Sequence, residues 1–251
     1  MHLQIEGEGP DLVLLHGWGL RLEVWDALVD SLRDRFRVIR ADLPGHGRSR
    51  ENKRLDAGTL VPALEAVLEP PACWVGWSLG GLLALQLCAL RPAWFDRLGL
   101  VGCNPCFVQR PDWPGMAPAV FAGFATSVQD APEATLQRFL GLVARGGEQR
   151  QVQRRLRRMA GGAPPETEAL VQGLTLLAQA DARATAAALT VPVHWWLGAL
   201  DALVPPEAAD ALAALTGPES VTAMEGAGHA PFLSHPDIFN ERLSEWLGRS
   251  G

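Results

Sequence analysis

A chain of 251 residues, 48% of them hydrophobic and 20% charged, is long enough to bury a sizeable core and too apolar for a disordered segment. Its formal net charge of −6 argues against nucleic acid as a partner, and no stretch of about 18 apolar residues marks a membrane span. The start, Met1 to Glu6, lacks the charged-then-apolar layout of a signal peptide, so a soluble cytoplasmic protein is expected, a monomer by default, with Cys73, Cys88, Cys103 and Cys106 as reduced thiols.

Residues 12–15, Leu-Val-Leu-Leu, form a continuous apolar run ending in His16-Gly17-Trp18-Gly19, the pattern of a central parallel strand that delivers a loop to the carboxyl edge of a sheet. Leu22, Trp25, Leu28, Val29 and Leu32 recur at helical spacing up to Arg35, and residues 36–41 read as the next strand. The segment Asp42-Leu43-Pro44-Gly45-His46-Gly47-Arg48-Ser49 is dense in turn formers. A helix over 60–68 precedes Cys73-Trp74-Val75-Gly76-Trp77-Ser78-Leu79-Gly80-Gly81, which reads as strand, sharp turn and helix. Glycines two residues either side of Ser78 make this the G-x-S-x-G nucleophile elbow, a turn so tight that the serine's neighbours need near-absent side chains. The competing reading is a serine that merely caps a helix. That helix, 79–90, is apolar and stops at Arg91-Pro92.

A strand over 97–102 follows, and then the strand–helix rhythm breaks. From about 107 to 183 only helical periods appear, over 120–127, 134–144, 148–159 and 166–178, with turns at Gly161-Gly162 and Pro164-Pro165. The sheet resumes with a strand over 191–197, a helix over 206–215, a strand over 220–224 and a closing amphipathic helix from Pro236. The expected architecture is one α/β domain, a mostly parallel doubly wound sheet with a helical cap inserted at about 107–183.

A serine hydroxyl is a weak nucleophile at neutral pH; it needs a base, and the base needs a group that fixes its tautomer. Among six histidines, His229 alone follows a strand late in the chain in a glycine-flanked loop. Asp201 lies just after a strand, ahead of Val204-Pro205, whereas Asp42 would break the Ser, Asp, His chain order of this fold, and Asp210 falls on an amphipathic helix. Ser78, Asp201 and His229 are therefore the candidate triad. The oxyanion formed on attack at a carbonyl needs fixed donors: the elbow offers the backbone N–H of Leu79, and the loop after the first long strand that of Trp18, whose indole is placed to wall an acyl pocket. Cys103-Asn104-Pro105-Cys106 has no second cysteine pair to complete a metal or redox site. No metal and no cofactor are expected.

Charge is unevenly spread. Between Arg138 and Arg158 there are seven arginines and one acid, Glu148, a local +6, which leaves −12 for the remainder.

On Leu14-Leu15-His16-Gly17-Trp18-Gly19-Leu20, the 42–49 loop, Gly76-Trp77-Ser78-Leu79-Gly80-Gly81, Asp112-Trp113-Pro114-Gly115, Arg138-Phe139-Leu140-Gly141-Leu142 and Gly228-His229-Ala230-Pro231-Phe232-Leu233-Ser234-His235-Pro236, the chain resembles the α/β-hydrolase superfamily. More closely it resembles the pimeloyl-acyl carrier protein methyl ester carboxylesterases of biotin synthesis. The resemblance implies hydrolysis of the methyl ester on a carrier-bound pimeloyl chain, with acyl carrier protein as partner. It implies that Phe139, Leu140, Gly141, Leu142 and Val143 line the acyl channel, and that Arg138, Arg154, Arg155 and Arg158 contact the acidic carrier. Gln151 departs from the family pattern, which is basic there. A general short-chain esterase, a lactonase or a carbon–carbon bond hydrolase are alternatives within catalysis, since a triad does not encode the acyl group. A non-catalytic ligand-binding protein of the same fold is the alternative outside it.

Overall fold

The computed structural model describes residues 1–51, 54–162 and 164–248. Its centre is a seven-stranded sheet in the order β1-β3-β2-β4-β5-β6-β7, built from β1 (Leu3–Glu6), β2 (Asp11–Leu15), β3 (Arg37–Ala41), β4 (Ala72–Trp77), β5 (Phe95–Val101), β6 (Val193–Gly198) and β7 (Val221–Met224). Only β1 is antiparallel to its neighbour. β2 and β4 are buried along their whole length, which is why both read as unbroken apolar runs rather than alternating ones.

The connections are helical: α1 (Asp26–Leu32), α2 (Ala57–Glu65), α3 (Leu79–Leu90), then α4 (Pro118–Asp130), α5 (Pro132–Val143), α6 (Gln149–Gly162), α7 (Thr167–Gln179) and α8 (Arg183–Ala187), and finally α9 (Ala208–Thr216), α10 (Pro231–Ser234) and α11 (Pro236–Leu247). The chain steps from β2 outward to β3 and then crosses back to β4, beyond β2. Because crossovers between parallel strands are right-handed, this reversal sends helices to both faces of the sheet. It also opens a crevice at the carboxyl ends of β2 and β4, the place where such sheets bind ligands.

Several expected elements take a different form. The helix expected over 22–35 is a single 3-10 turn, Leu22–Trp25, followed by the short α1. The helix expected over 60–68 starts three residues earlier, capped by the Asp56 carboxylate on the Thr59 N–H at 2.8 Å, and carries Pro62 inside. Three of the labelled strands and α-helices are not foreseen, β1, α8 and α10, each only four or five residues long, too short to show a period.

Burial explains the helices' composition. α3 is buried from Leu79 to Leu85 and again at Leu87 and Cys88, so it is apolar all round. α6 is its opposite: only Val152, Leu156 and Ala160 are buried, one residue per turn, and arginines fill the other faces. The α4–α7 segment leaves and rejoins the sheet at neighbouring points. Ala182 N–H donates to the Pro105 carbonyl at 2.8 Å, and Arg183 donates to Asp112 at 2.9 Å and Asp181 at 2.7 Å while lying over the Trp113 ring. The guanidinium holds both carboxyls below the usual carboxylate range. Asn104 closes the same junction, accepting from Trp113 Nε1 at 2.7 Å, so the Asn-Pro-Cys turn is a structural clasp between two buried free cysteines. No helix among the described residues is long and apolar enough to cross a membrane.

Candidate active site

Strand order places the site's parts side by side. β4 pairs with β2, with Gly76 opposite Leu15, so the turn after β4 meets the loop after β2. β6 pairs with β7, with Gly198 opposite Met224, so the loops bearing Asp201 and His229 also meet.

Ser78 follows β4 directly and has φ 53° and ψ −117°, the one described non-glycine residue with positive φ. Its side chain makes no capping bond to α3, so the helix-cap reading of this serine is not what the structure holds. The glycines are required by close approach. A Cβ on Gly76 would stand 2.5 Å from the Gly81 Cα, and one on Gly80 would collide with the carbonyls of Leu15 and His16.

Asp201 Oδ2 and His229 Nδ1 lie 2.8 Å apart with both side chains fully buried. The other carboxylate oxygen accepts the N–H groups of Leu203 at 2.8 Å and Val204 at 3.1 Å, so the aspartate is held by its own turn. With the carboxylate accepting from Nδ1–H, Nε2 is left as the basic nitrogen; it is buried and has no hydrogen-bond partner among the described residues. Ser78 therefore does not bond to it, a looseness common between a serine and its base. Trp77 Nε1 donates to the His229 carbonyl at 2.9 Å, and its ring packs against Gly17. One side chain thus braces the loops after β2 and β7.

His16 and His46 are both fully buried, and each is satisfied as a neutral ring. Leu43 N–H donates to His16 Nε2 at 2.9 Å, and His16 Nδ1 donates to the Gly17 carbonyl at 2.8 Å. Gly19 N–H donates to His46 Nε2 at 3.2 Å, and His46 Nδ1 donates to the Pro44 carbonyl at 3.0 Å. Burial pushes their pKa values down to about 4 and about 3. Asp42 completes the brace, accepting from Leu22 N–H at 2.9 Å and Arg48 N–H at 2.8 Å. Within the loop so fixed, the N–H groups of Gly19 and Leu20 are bonded while that of Trp18 donates to nothing among the described residues. Leu79 opens α3, where backbone N–H groups have no intrahelical partner.

A cavity of about 270 Å³ stands over Ser78. Its floor is Ser78 and Trp18, both nearly inaccessible, and Phe107, Phe121, Phe124 and Phe139 make its walls largely aromatic. Its exposed lining residues, Val120, Arg145 and Ala202, mark the opening. Trp18 is fixed by Nε1 donating to the Leu170 carbonyl at 2.8 Å and by edge contacts with Phe139 and Phe124.

Of the five residues expected to line an acyl channel, Phe139 and Leu142 line this cavity. Leu140 and Val143 are buried in the packing between helices, and Gly141 faces Gln153. A five-residue run covers more than one helical turn, so it cannot present every side chain to one cavity. Arg138 is exposed and donates to Thr135 Oγ1 at 2.9 Å. Arg154 and Arg158 are exposed and Arg155 half-buried; none of the three guanidinium groups has an ion-pair or hydrogen-bond partner among the described residues. Among those residues no group of three or more His, Cys, Asp or Glu side chains is placed to hold a metal ion.

The sequence alone gives Trp77, Gly102 and the α4 aromatics no role, and places Arg145 only within the basic block. Phe121 and Phe124 are three residues apart, as are Leu174 and Leu177, a spacing that looks the same for a packed helix face and for a cavity wall.

Fold and site together define the class: an α/β hydrolase, with a serine on a strained strand-to-helix turn at the carboxyl edge of a mostly parallel sheet. The alpha/beta hydrolase family model matches residues 12–242, and the chain belongs to that family. It is 41% identical over 250 residues to the pimeloyl-acyl-carrier protein methyl ester esterase of Serratia marcescens, covering 98% of each chain. It is 40% identical over 246 residues to the protein of that name from Pectobacterium atrosepticum, covering 97% of this chain and 96% of that one. An esterase from Exiguobacterium antarcticum shares the fold with a TM-score of 0.88 at 21% identity, covering 99% of this chain and 95% of that one.

Proposed function

We propose that this protein is a serine carboxylesterase that hydrolyses the methyl ester of pimeloyl-acyl carrier protein, releasing methanol and leaving the free carboxylate for biotin synthesis. The observation that carries the esterase reading is the buried Asp201–His229 pair, whose unpartnered Nε2 belongs to the same sheet edge as the strained Ser78 on the floor of an apolar cavity. Ser78 Oγ attacks the ester carbonyl as His229 Nε2 takes its proton, and Asp201 stabilises the imidazolium. The unbonded N–H groups of Trp18 and Leu79 receive the oxyanion, each donor worth about 2.7 to 4 kcal/mol of barrier in comparable sites. The imidazolium returns the proton to departing methanol; a water, activated by the same nitrogen, then releases the acyl chain and restores Ser78.

Two features support the carrier-bound substrate. The relatives of about 40% identity bear that activity in their names, and the α4–α7 segment, acting as a cap, carries a cluster of arginines, without ion-pair partners among the described residues, that an acidic carrier would meet. The reading is tested by assaying purified protein on pimeloyl-carrier methyl ester and on a short p-nitrophenyl ester across a salt series. Turnover of both, lost in Ser78→Ala and strongly salt-sensitive only for the carrier-bound ester, is the expected result. Full turnover in Ser78→Ala would overturn the esterase assignment, and equal salt dependence would overturn the carrier.

A further inference from the structure

We propose that Arg145 is a specificity-determining residue that binds the far end of the acyl chain, and that the enzyme accepts carrier-free half-esters of dicarboxylic acids, pairing their free carboxylate with this guanidinium. The inference rests on the esterase reading above.

Arg145 is the one charged residue among the described residues that line the Ser78 cavity. It is exposed, which puts it at the opening and away from the buried floor, and its guanidinium has no ion-pair or hydrogen-bond partner among the described residues. An unpaired cation on an otherwise apolar wall does nothing for an acyl chain made only of methylenes. It favours a ligand whose end is an anion or a strong acceptor, and the planar fork of arginine matches a carboxylate with two parallel donors.

The position of Arg145 is fixed by its backbone. Its carbonyl packs against Gly228, where a Cβ would overlap it, and Gly146 forms an antiparallel bridge with Ala227. The residue is thus anchored to the loop that carries His229, and a change confined to its side chain leaves that anchor in place. A chain with its ester carbonyl at Ser78 and its other end at the opening spans the two groups. In methyl hydrogen pimelate that other end is a carboxylate; in the carrier-bound ester the same carbon is the thioester carbonyl, an acceptor for the same donors. Hydrolysis balances as for any ester: water supplies the new carboxylate oxygen, methanol leaves, and one proton is released.

The test compares kcat/KM for methyl hydrogen pimelate with that for dimethyl pimelate, equal in chain length but without the anion, in the wild type, Arg145→Met and Arg145→Lys. The half-ester to diester ratio is expected to fall at least about fivefold in Arg145→Met, to recover in part in Arg145→Lys, and to fall with salt in the wild type and in Arg145→Lys but not in Arg145→Met. Diester turnover with an unchanged ratio in Arg145→Met would overturn the inference and leave the esterase reading standing. Absence of wild-type turnover on the half-ester while the carrier-bound ester is still hydrolysed would overturn this inference alone; absence of turnover on the half-ester, the diester and the carrier-bound ester would overturn the esterase reading, and this inference with it.

Discussion

Gly102 lies directly beneath His229: a Cβ at position 102 would stand 2.6 Å from the His229 carbonyl oxygen and 3.2 Å from Nδ1. The glycine directly follows β5 and has φ +51°, and its N–H donates to the Trp196 carbonyl at 2.8 Å, so it cannot move aside cheaply. Gly102→Ala combines a left-handed backbone with a backbone collision. It is expected to cost about 2 kcal/mol or more of stability and to lower kcat at least about tenfold by displacing the imidazole. Thermal unfolding and steady-state kinetics on one preparation check both; wild-type kcat in this variant would mean that the His229 loop tolerates displacement.

Asp201→Asn removes the charge but keeps the shape. An amide toward Nδ1 can present its NH2 and so favour the wrong tautomer, placing the proton on Nε2. We expect kcat to fall about 10³ to 10⁴-fold with the fold intact. A loss under tenfold would show that the imidazole tautomer is held by something other than this carboxylate.

Reversing charge at Arg138, Arg155 and Arg158 together removes positive potential from the rim of the α4–α7 segment while leaving Ser78 untouched. The ratio of kcat/KM on the carrier-bound ester to that on a p-nitrophenyl ester is expected to fall about tenfold or more at low salt, and the gap should close as salt rises. Equal losses on both substrates would place these arginines outside carrier recognition.

Acid should destabilise the fold through the two buried histidines. Their folded pKa values of about 4 for His16 and about 3 for His46 lie below the 6.5 of an ordinary histidine, burial being the main cause. As pH drops below 6.5 the unfolded chain takes up protons there that the folded chain does not, so stability falls by up to about 1.4 kcal/mol per pH unit for each. The fall levels off only below the folded values, and above pH 6.5 neither group contributes. His46→Gln retains an acceptor for the Gly19 N–H and does not titrate; the slope of Tm against pH between 6.5 and 4.5 should be shallower in this variant. An identical slope would assign the acid sensitivity to other groups.

Strand ends carry the features of this molecule that local sequence makes readable. Ser78, Asp201 and His229 each follow an apolar run that needs only its own residues to be recognised as a strand, and the glycines beside Ser78 and His229 mark turns for local steric reasons. Residues whose importance comes from a distant partner leave no such mark. Trp77 is a buried aromatic like Trp74 until its N–H is seen to reach His229, 152 positions away, and Arg145 is one of seven arginines until the cavity shows which of them faces Ser78's chamber. Leu140 and Val143 show the converse: a motif of consecutive residues suggests one shared function, while the 3.6-residue period gives its members to different neighbours.

The left-handed backbone at Ser78 sets a limit on how robust this enzyme can become. A conformation of this kind costs about 1 to 3 kcal/mol in any residue with a Cβ, and it persists only because the sheet, α3 and the Val101 carbonyl, which accepts the Ser78 N–H at 2.9 Å, hold the turn from both sides. Ser78→Gly should therefore melt at a higher temperature than the wild type while turning over nothing, and calorimetry decides the point. If so, the serine proposed as the nucleophile is also a standing weakness in the fold, and selection for heat resistance alone would drift toward an inert protein.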